Sequence, residues 1–185
     1  MVALSHRKRS DGLALRSRRL QGEEGFTLVE LLVVIVIIGI LSSLLIPAII
    51  NAINSTKITA CASNQRQLYQ MGTIYATTHK GNWPSSRGEE LWLSLRRMVP
   101  PLLEGEHVAV LACPRRGQEL GPDETDFRGP ALPWGKIGAA DPIGADKVGN
   151  HGDDHGGNIL LQDGSVSVYE KIDAKWVDCA TKLAP

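Results

Sequence analysis

Gly25-Phe26-Thr27-Leu28-Val29-Glu30-Leu31-Leu32-Val33-Val34-Ile35 opens an apolar run that continues to Ile50. From Leu31 to Leu41 every residue is apolar or glycine, and only Ser42 and Ser43 interrupt before Leu44-Leu45-Ile46 resumes the run. A segment of this length and composition can cross a bilayer as one helix. Its single ionisable side chain is Glu30. A carboxylate inside an apolar span is costly, and such a residue reads by default as functional. A plain anchor would be better without it, so anchoring alone does not account for Glu30.

The flanks give the span a direction. Residues 1–25 hold six Lys and Arg against three Asp and Glu, a net +3. The whole chain carries 20 of each sign, which leaves residues 26–185 with 14 against 17, a net −3. A basic flank ahead of an apolar helix stays on the cytoplasmic side. The expected arrangement is a single-pass membrane protein, with the basic N-terminal tail cytoplasmic and the mildly acidic body on the opposite side of the membrane. An ordinary secretory signal would place a small-residue cleavage site after the apolar region, and Ile46-Pro47-Ala48 fits that poorly. Here the glycine precedes the run.

Gly25, Phe26 and Glu30 at this spacing resemble the leader junction of type IV pilins and type II secretion pseudopilins. The resemblance implies cleavage between Gly25 and Phe26 by a prepilin peptidase and N-methylation of the new Phe26 amine. It implies that Glu30 registers subunits by pairing with the Phe26 ammonium of a neighbour. Such a pair offsets the cost of a buried charge, and removing one partner strands the other. The implied partners are other pilin or pseudopilin subunits, the peptidase and methyltransferase, an inner-membrane assembly platform of a secretion system or pilus, and the membrane. The implied product is a filament subunit, not an enzyme. Pseudopilin and pilin remain alternatives.

Pro47 removes a helical hydrogen bond and bends a helix; members of the resembling family often carry a proline at this depth. Apolar residues recur at helical spacing beyond it, through Ile58, Leu68, Met71 and Tyr75. The reading is one helix from about Thr27 to about Thr78, ended by a basic turn and Gly81. The fold class expected is α+β and pilin-like: this helical spine packed on a small antiparallel sheet with a C-terminal hairpin. The domains expected are a cleaved leader over 1–25, a membrane or filament-core helix over 26–50, and the helix's second half with a soluble domain over 51–185.

Within the soluble part, Glu89 to Met98 reads as an amphipathic helix and His107 to Ala112 as a strand. Asn158–Gln162 and Ser165–Tyr169 flank Asp163-Gly164, a two-residue hairpin signal that needs positive φ. Asp173 is placed to cap a last helix. Residues 114–150 hold seven glycines and five prolines with little periodicity, and read as a long loop, functional or disordered.

A second resemblance covers the soluble part. Cys61-Ala62-Ser63-Asn64-Gln65-Arg66-Gln67-Leu68, Cys113-Pro114 and Asn158 through Gly164 resemble pilin-like proteins of planctomycetes and related bacteria. Those often end in a histidine, nine residues, then Asp-Gly. Here seven residues separate His155 from Asp163 and eleven separate His151 from it.

The stretch from His151 to Asn158 is the densest run of potential ligands. Asp153, Asp154 and Asp163 can offer the oxygens a hard cation takes. Some major pseudopilins bind calcium in a terminal loop, so the resemblance makes calcium the leading metal. His151 and His155 suit zinc instead. The plain alternative is a polar, glycine-rich turn feeding the hairpin. A membrane-anchored periplasmic module binding a metal or ligand through 151–163 is the second functional reading.

Three cysteines in an oxidising compartment allow one bridge and leave one thiol over. A Cys61–Cys113 bond would join helix to strand and leave Cys179; buried reduced cysteines are the alternative, and connectivity does not follow from sequence. A mature domain of net −3 with no basic stripe gives no support to nucleic-acid binding.

Overall fold

The computed structural model describes residues 25–152 and 156–184. The basic leader and residues 153–155 lie outside them. Helix α1 spans Leu28–Thr78, 51 residues, and the chain divides into two units between Leu44 and Leu45.

The first unit shows how α1 begins. Thr27 Oγ1 accepts a hydrogen bond from Glu30 N at 3.2 Å, and Glu30 Oε2 accepts from Thr27 N at 2.8 Å and from Thr27 Oγ1 at 2.7 Å. This reciprocal capping box satisfies two of the backbone donors that a helix start leaves over. The large apolar side chains from Phe26 to Leu44 are exposed in the single chain. Among the described residues, α1 alone is long and apolar enough to cross a membrane.

The second unit is an α+β domain of pilin-like architecture. Five antiparallel strands run in the order β4-β3-β2-β1-β5, with β1 at Phe127–Pro130, β2 at Pro142–Asp146, β3 at Gly157–Leu161, β4 at Val166–Tyr169 and β5 at Leu183–Ala184. The later part of α1 covers one face, burying Cys61, Gln65, Leu68, Gly72 and Ala76. Those positions recur every three to four residues, the stripe a packed helix requires. Helix α2, Glu90–Arg97, adds Leu91, Trp92 and Leu95 to the same layer, against Phe127, Ile143 and Leu160. Each such buried side chain contributes about 1.5–3 kcal/mol. Helix α3, Ala174–Lys182, covers the other face with Trp176 and Cys179 against Ala145 and Ile159.

The segment read as a loop over 114–150 contains β1 and β2, two central strands. The glycines that disguised them are packing residues. A Cβ on Gly129 would lie 1.9 Å from the Gly88 carbonyl oxygen, and one on Gly144 would lie 3.0 Å from the Trp92 ring. All five residues of β2 are buried, because helices cover both faces. Such a strand carries no polar–apolar alternation to read. A register shift between Pro142 and Gly144 also breaks the period of two.

Three local expectations are corrected. Residues 107–112 are not a strand: Gly105–Leu111 is a 3-10 helix. Gly105 turns at φ +56°, and the backbone donors close locally, with His107 N on Glu104 O and Ala112 N on Ala109 O. This seats Leu111 and Cys113 in the core without strand pairing. The hairpin exists, but its turn is longer than two residues. Gly164 N donates to Leu161 O and Leu161 N to Ser165 O, and within the turn only Gly164 has positive φ, +83°. That is a type I turn closed by a left-handed glycine. Asp173 stands at the start of α3 without a side-chain cap bond; its carboxylate accepts from Glu170 N instead. The helix starts with Val177 N on the Asp173 carbonyl.

Candidate functional site

Two places carry chemistry. The first is the exposed start of α1. Gly25 and Phe26 precede the helix, both exposed. Glu30 lies in the first turn, where a carboxylate also favours the positive end of the helix dipole. Its bonds to Thr27 were legible as the pattern Thr-x-x-Glu, which reasoning from the lone charge overlooked. Pro47 lies inside α1, and the helix continues on both sides of it. It has no N–H to offer Ser43 O, four residues back.

The second place is a buried polar cluster beneath α1. Asp146, at the end of β2, is fully buried. Its Oδ2 accepts from Asn158 N at 2.7 Å, and its Oδ1 accepts from Gln65 Nε2 at 3.2 Å. His151 Nε2 lies 3.1 Å from Asp146 Oδ2, and its ring is buried. Burial pushes the Asp146 carboxyl up to about 7, while the bonds from Asn158 and Gln65 hold it down against that rise and the nearby Asp126 charge adds to it. Asn158 Nδ2 donates to Ile58 O on α1 at 3.1 Å. Gln65 and Asn158 therefore tie the helix to the sheet through polar groups at positions where an apolar pattern predicts Leu or Ile.

Cys61 on α1 and Cys113 after the 3-10 helix are joined by a disulfide, with Cα atoms 5.1 Å apart. Asn64 Nδ2 donates to Ala112 O at 2.8 Å beside it, and Cys113 N donates to Asp126 Oδ2 at 2.8 Å. Cys179 is a buried free thiol, its pKa pushed up to about 11 chiefly by burial and then by Asp178.

The candidate ligands of the 151–163 stretch are placed as follows. His151 is buried beside Asp146. Asp163 is exposed on the hairpin turn, where its Oδ1 accepts from Ser165 N. A bond from the Ser165 side chain, and after it this backbone bond, holds its carboxyl below the usual carboxylate range. Asp153, Asp154 and His155 lie outside the described residues. Asp146 was not singled out from sequence, since Ala-Asp-Lys inside a glycine-rich run carries no ligand signature. Of the four tryptophans, Trp83 stacks on Trp134 with ring centroids 3.7 Å apart, and covers Gly72 of α1.

An exposed apolar helix headed by Gly-Phe and one capped glutamate fits a membrane-anchored, processed subunit. A family model of the prokaryotic N-terminal methylation motif matches residues 20–46. The chain carries a prepilin-type N-terminal methylation motif and is consistent with the type IV pilin-like family. No curated protein and no solved structure matches it. The motif implies processing by a prepilin peptidase and assembly with other pilins, and the family is structural, not enzymatic.

Proposed function

We propose that the chain is a pseudopilin or minor pilin, a structural subunit of a type II secretion or type IV pilus-like filament. Prepilin peptidase cuts between Gly25 and Phe26, and the new Phe26 amine is methylated. The mature helix anchors the subunit in the inner membrane with its C-terminal domain in the periplasm. An inner-membrane assembly platform then lifts it into a filament with other subunits.

The observation that carries this reading is the helix start. Of the fifteen consecutive residues from Phe26 to Ile40 all but Glu30 are uncharged, and the large apolar ones are all exposed in the single chain. A surface of that size calls for lipid or for copies of itself. A lipid anchor gains nothing from Glu30. A filament core gives it the ammonium of a neighbouring Phe26; both Thr27 bonds are accepted by Oε2, which leaves Oε1 for that partner.

Two measurements test the reading. Mass spectrometry of the mature protein should find a methylated Phe26 at the N-terminus; a start elsewhere refutes the processing. Glu30→Ala should leave membrane insertion intact and abolish filament incorporation, scored by shearing and sedimentation. Normal incorporation would refute the assembly role.

A further inference from the structure

The Cys61–Cys113 bridge has unusual neighbours. One ligand atom from each of Cys61, Cys113, Asp146 and His151 lies within 4.8 Å of every other. All four side chains are buried: Cys61 and Asp146 are 0% exposed, and Cys113 and His151 are 1% exposed. A disulfide needs no carboxylate or imidazole beside it, and apolar neighbours would cost less to bury. The four residues come from four separate places: α1, the segment after the 3-10 helix, the end of β2 and the turn that follows β2. The fold holds each from its own backbone.

We propose that on reduction of the bridge these four residues form a zinc site, so that the position holds either a disulfide or a metal. Two thiolates, one imidazole and one carboxylate are a four-ligand tetrahedral set for zinc. Two sulfur ligands exclude calcium, which takes oxygen. The 3.1 Å between His151 Nε2 and Asp146 Oδ2 is near the roughly 3.3 Å edge that zinc bonds of about 2.0–2.1 Å give in a tetrahedron. The outer contacts suit the role as well. Asp146 is oriented by Gln65 Nε2 and Asn158 N, and Cys113 N is held by the Asp126 carboxylate. Partners of this kind orient metal ligands.

The chemistry balances with a dithiol as reductant. The dithiol delivers two electrons and two protons to the S–S bond and itself closes to a disulfide. Both cysteine sulfurs become thiols. Zinc then displaces the two thiol protons to solvent and binds the two thiolates, the Asp146 carboxylate and the neutral His151 ring. In the return step a disulfide is the oxidant: it takes two electrons from the thiolates and two protons from solvent to become a dithiol, the Cys61–Cys113 S–S bond re-forms, and zinc leaves to solvent. This inference does not rest on the filament reading, and of the candidate ligands in the 151–163 stretch it uses His151 alone.

The test uses the full chain in detergent micelles with cobalt(II) as a spectroscopic stand-in for zinc. The oxidised chain should show no thiolate-to-cobalt charge transfer. The phosphine-reduced chain should take up one cobalt per chain, with the strong visible bands of a tetrahedral site, and zinc should displace it. Cys61→Ser should remove the charge-transfer band, and His151→Ala should weaken binding at least tenfold. A reduced, folded chain without the tetrahedral signal overturns the proposal. So does a signal unchanged by Cys61→Ser, which would mark binding through Cys179 or the acidic stretch. Where reduction unfolds the chain, added zinc should restore its near-ultraviolet circular dichroism, and failure to do so equally overturns the site.

Discussion

The Cys61–Cys113 bond should dominate the stability of the soluble unit. It closes a loop of sequence separation 52, from mid-α1 to the end of the 3-10 helix segment. The chain-entropy relation for a loop of this length gives about 4 kcal/mol at 25 °C, through the freedom removed from the unfolded chain. That is a large part of the 5–15 kcal/mol typical of a whole domain. For a domain of this size, a loss of that magnitude lowers the melting temperature by about 8–16 °C. The measurement is a thermal melt of the full chain in detergent, followed by near-ultraviolet circular dichroism, with and without a phosphine reductant. A chelator is present throughout, so that metal cannot replace the bridge. Chemical reduction keeps both sulfurs in the core and isolates the cross-link. The double variant Cys61→Ala with Cys113→Ala should melt lower still, because it also leaves space at two fully packed positions. A reduced chain that melts within about 3 °C of the oxidised one would refute the argument. It would mean that the rest of the interface holds α1 to the sheet unaided.

Two further outcomes follow from packing and burial. Gly129→Ala puts its methyl 1.9 Å from the Gly88 carbonyl, in a crossing already fixed by Gly88 N on Pro130 O, and should cost about 3 kcal/mol in a denaturant titration. Gly135→Ala, with open space around its Cβ, should stay within about 0.5 kcal/mol, and equal costs for the two would refute the close-approach account. Cys179 titrates near 11 instead of 9.0, so at pH 8 its thiolate fraction is about a hundredfold below that of an ordinary thiol. Native oxidised protein should therefore alkylate at least that much more slowly than urea-unfolded protein, read by intact mass; comparable rates would show that α3 does not bury the thiol.

The sequence by itself determined the features that depend on local order along the chain. The helix, its apolar length, its start and its proline were all legible, because hydrophobic periodicity and caps act between residues three or four apart. Gly25, Phe26 and Glu30 form one continuous motif, so their spacing was on the page. The Asp163-Gly164 turn and the strands beside it were legible for the same reason, although the turn type was not. Tertiary structure alone decided the rest. Strands β1 and β2 read as loop because they use glycine where Gly88 and Trp92 come close, and because β2 is central and covered on both faces. Nothing local marks a residue whose neighbour is forty positions away. The same holds for the cluster beneath α1. Gln65, Cys113, Asp146, Asn158 and His151 are scattered over more than ninety positions of the chain, and each alone looks like an ordinary polar or sulfur residue. Only the packing of α1 on the sheet brings them together, and their meaning lies in the burial that packing imposes.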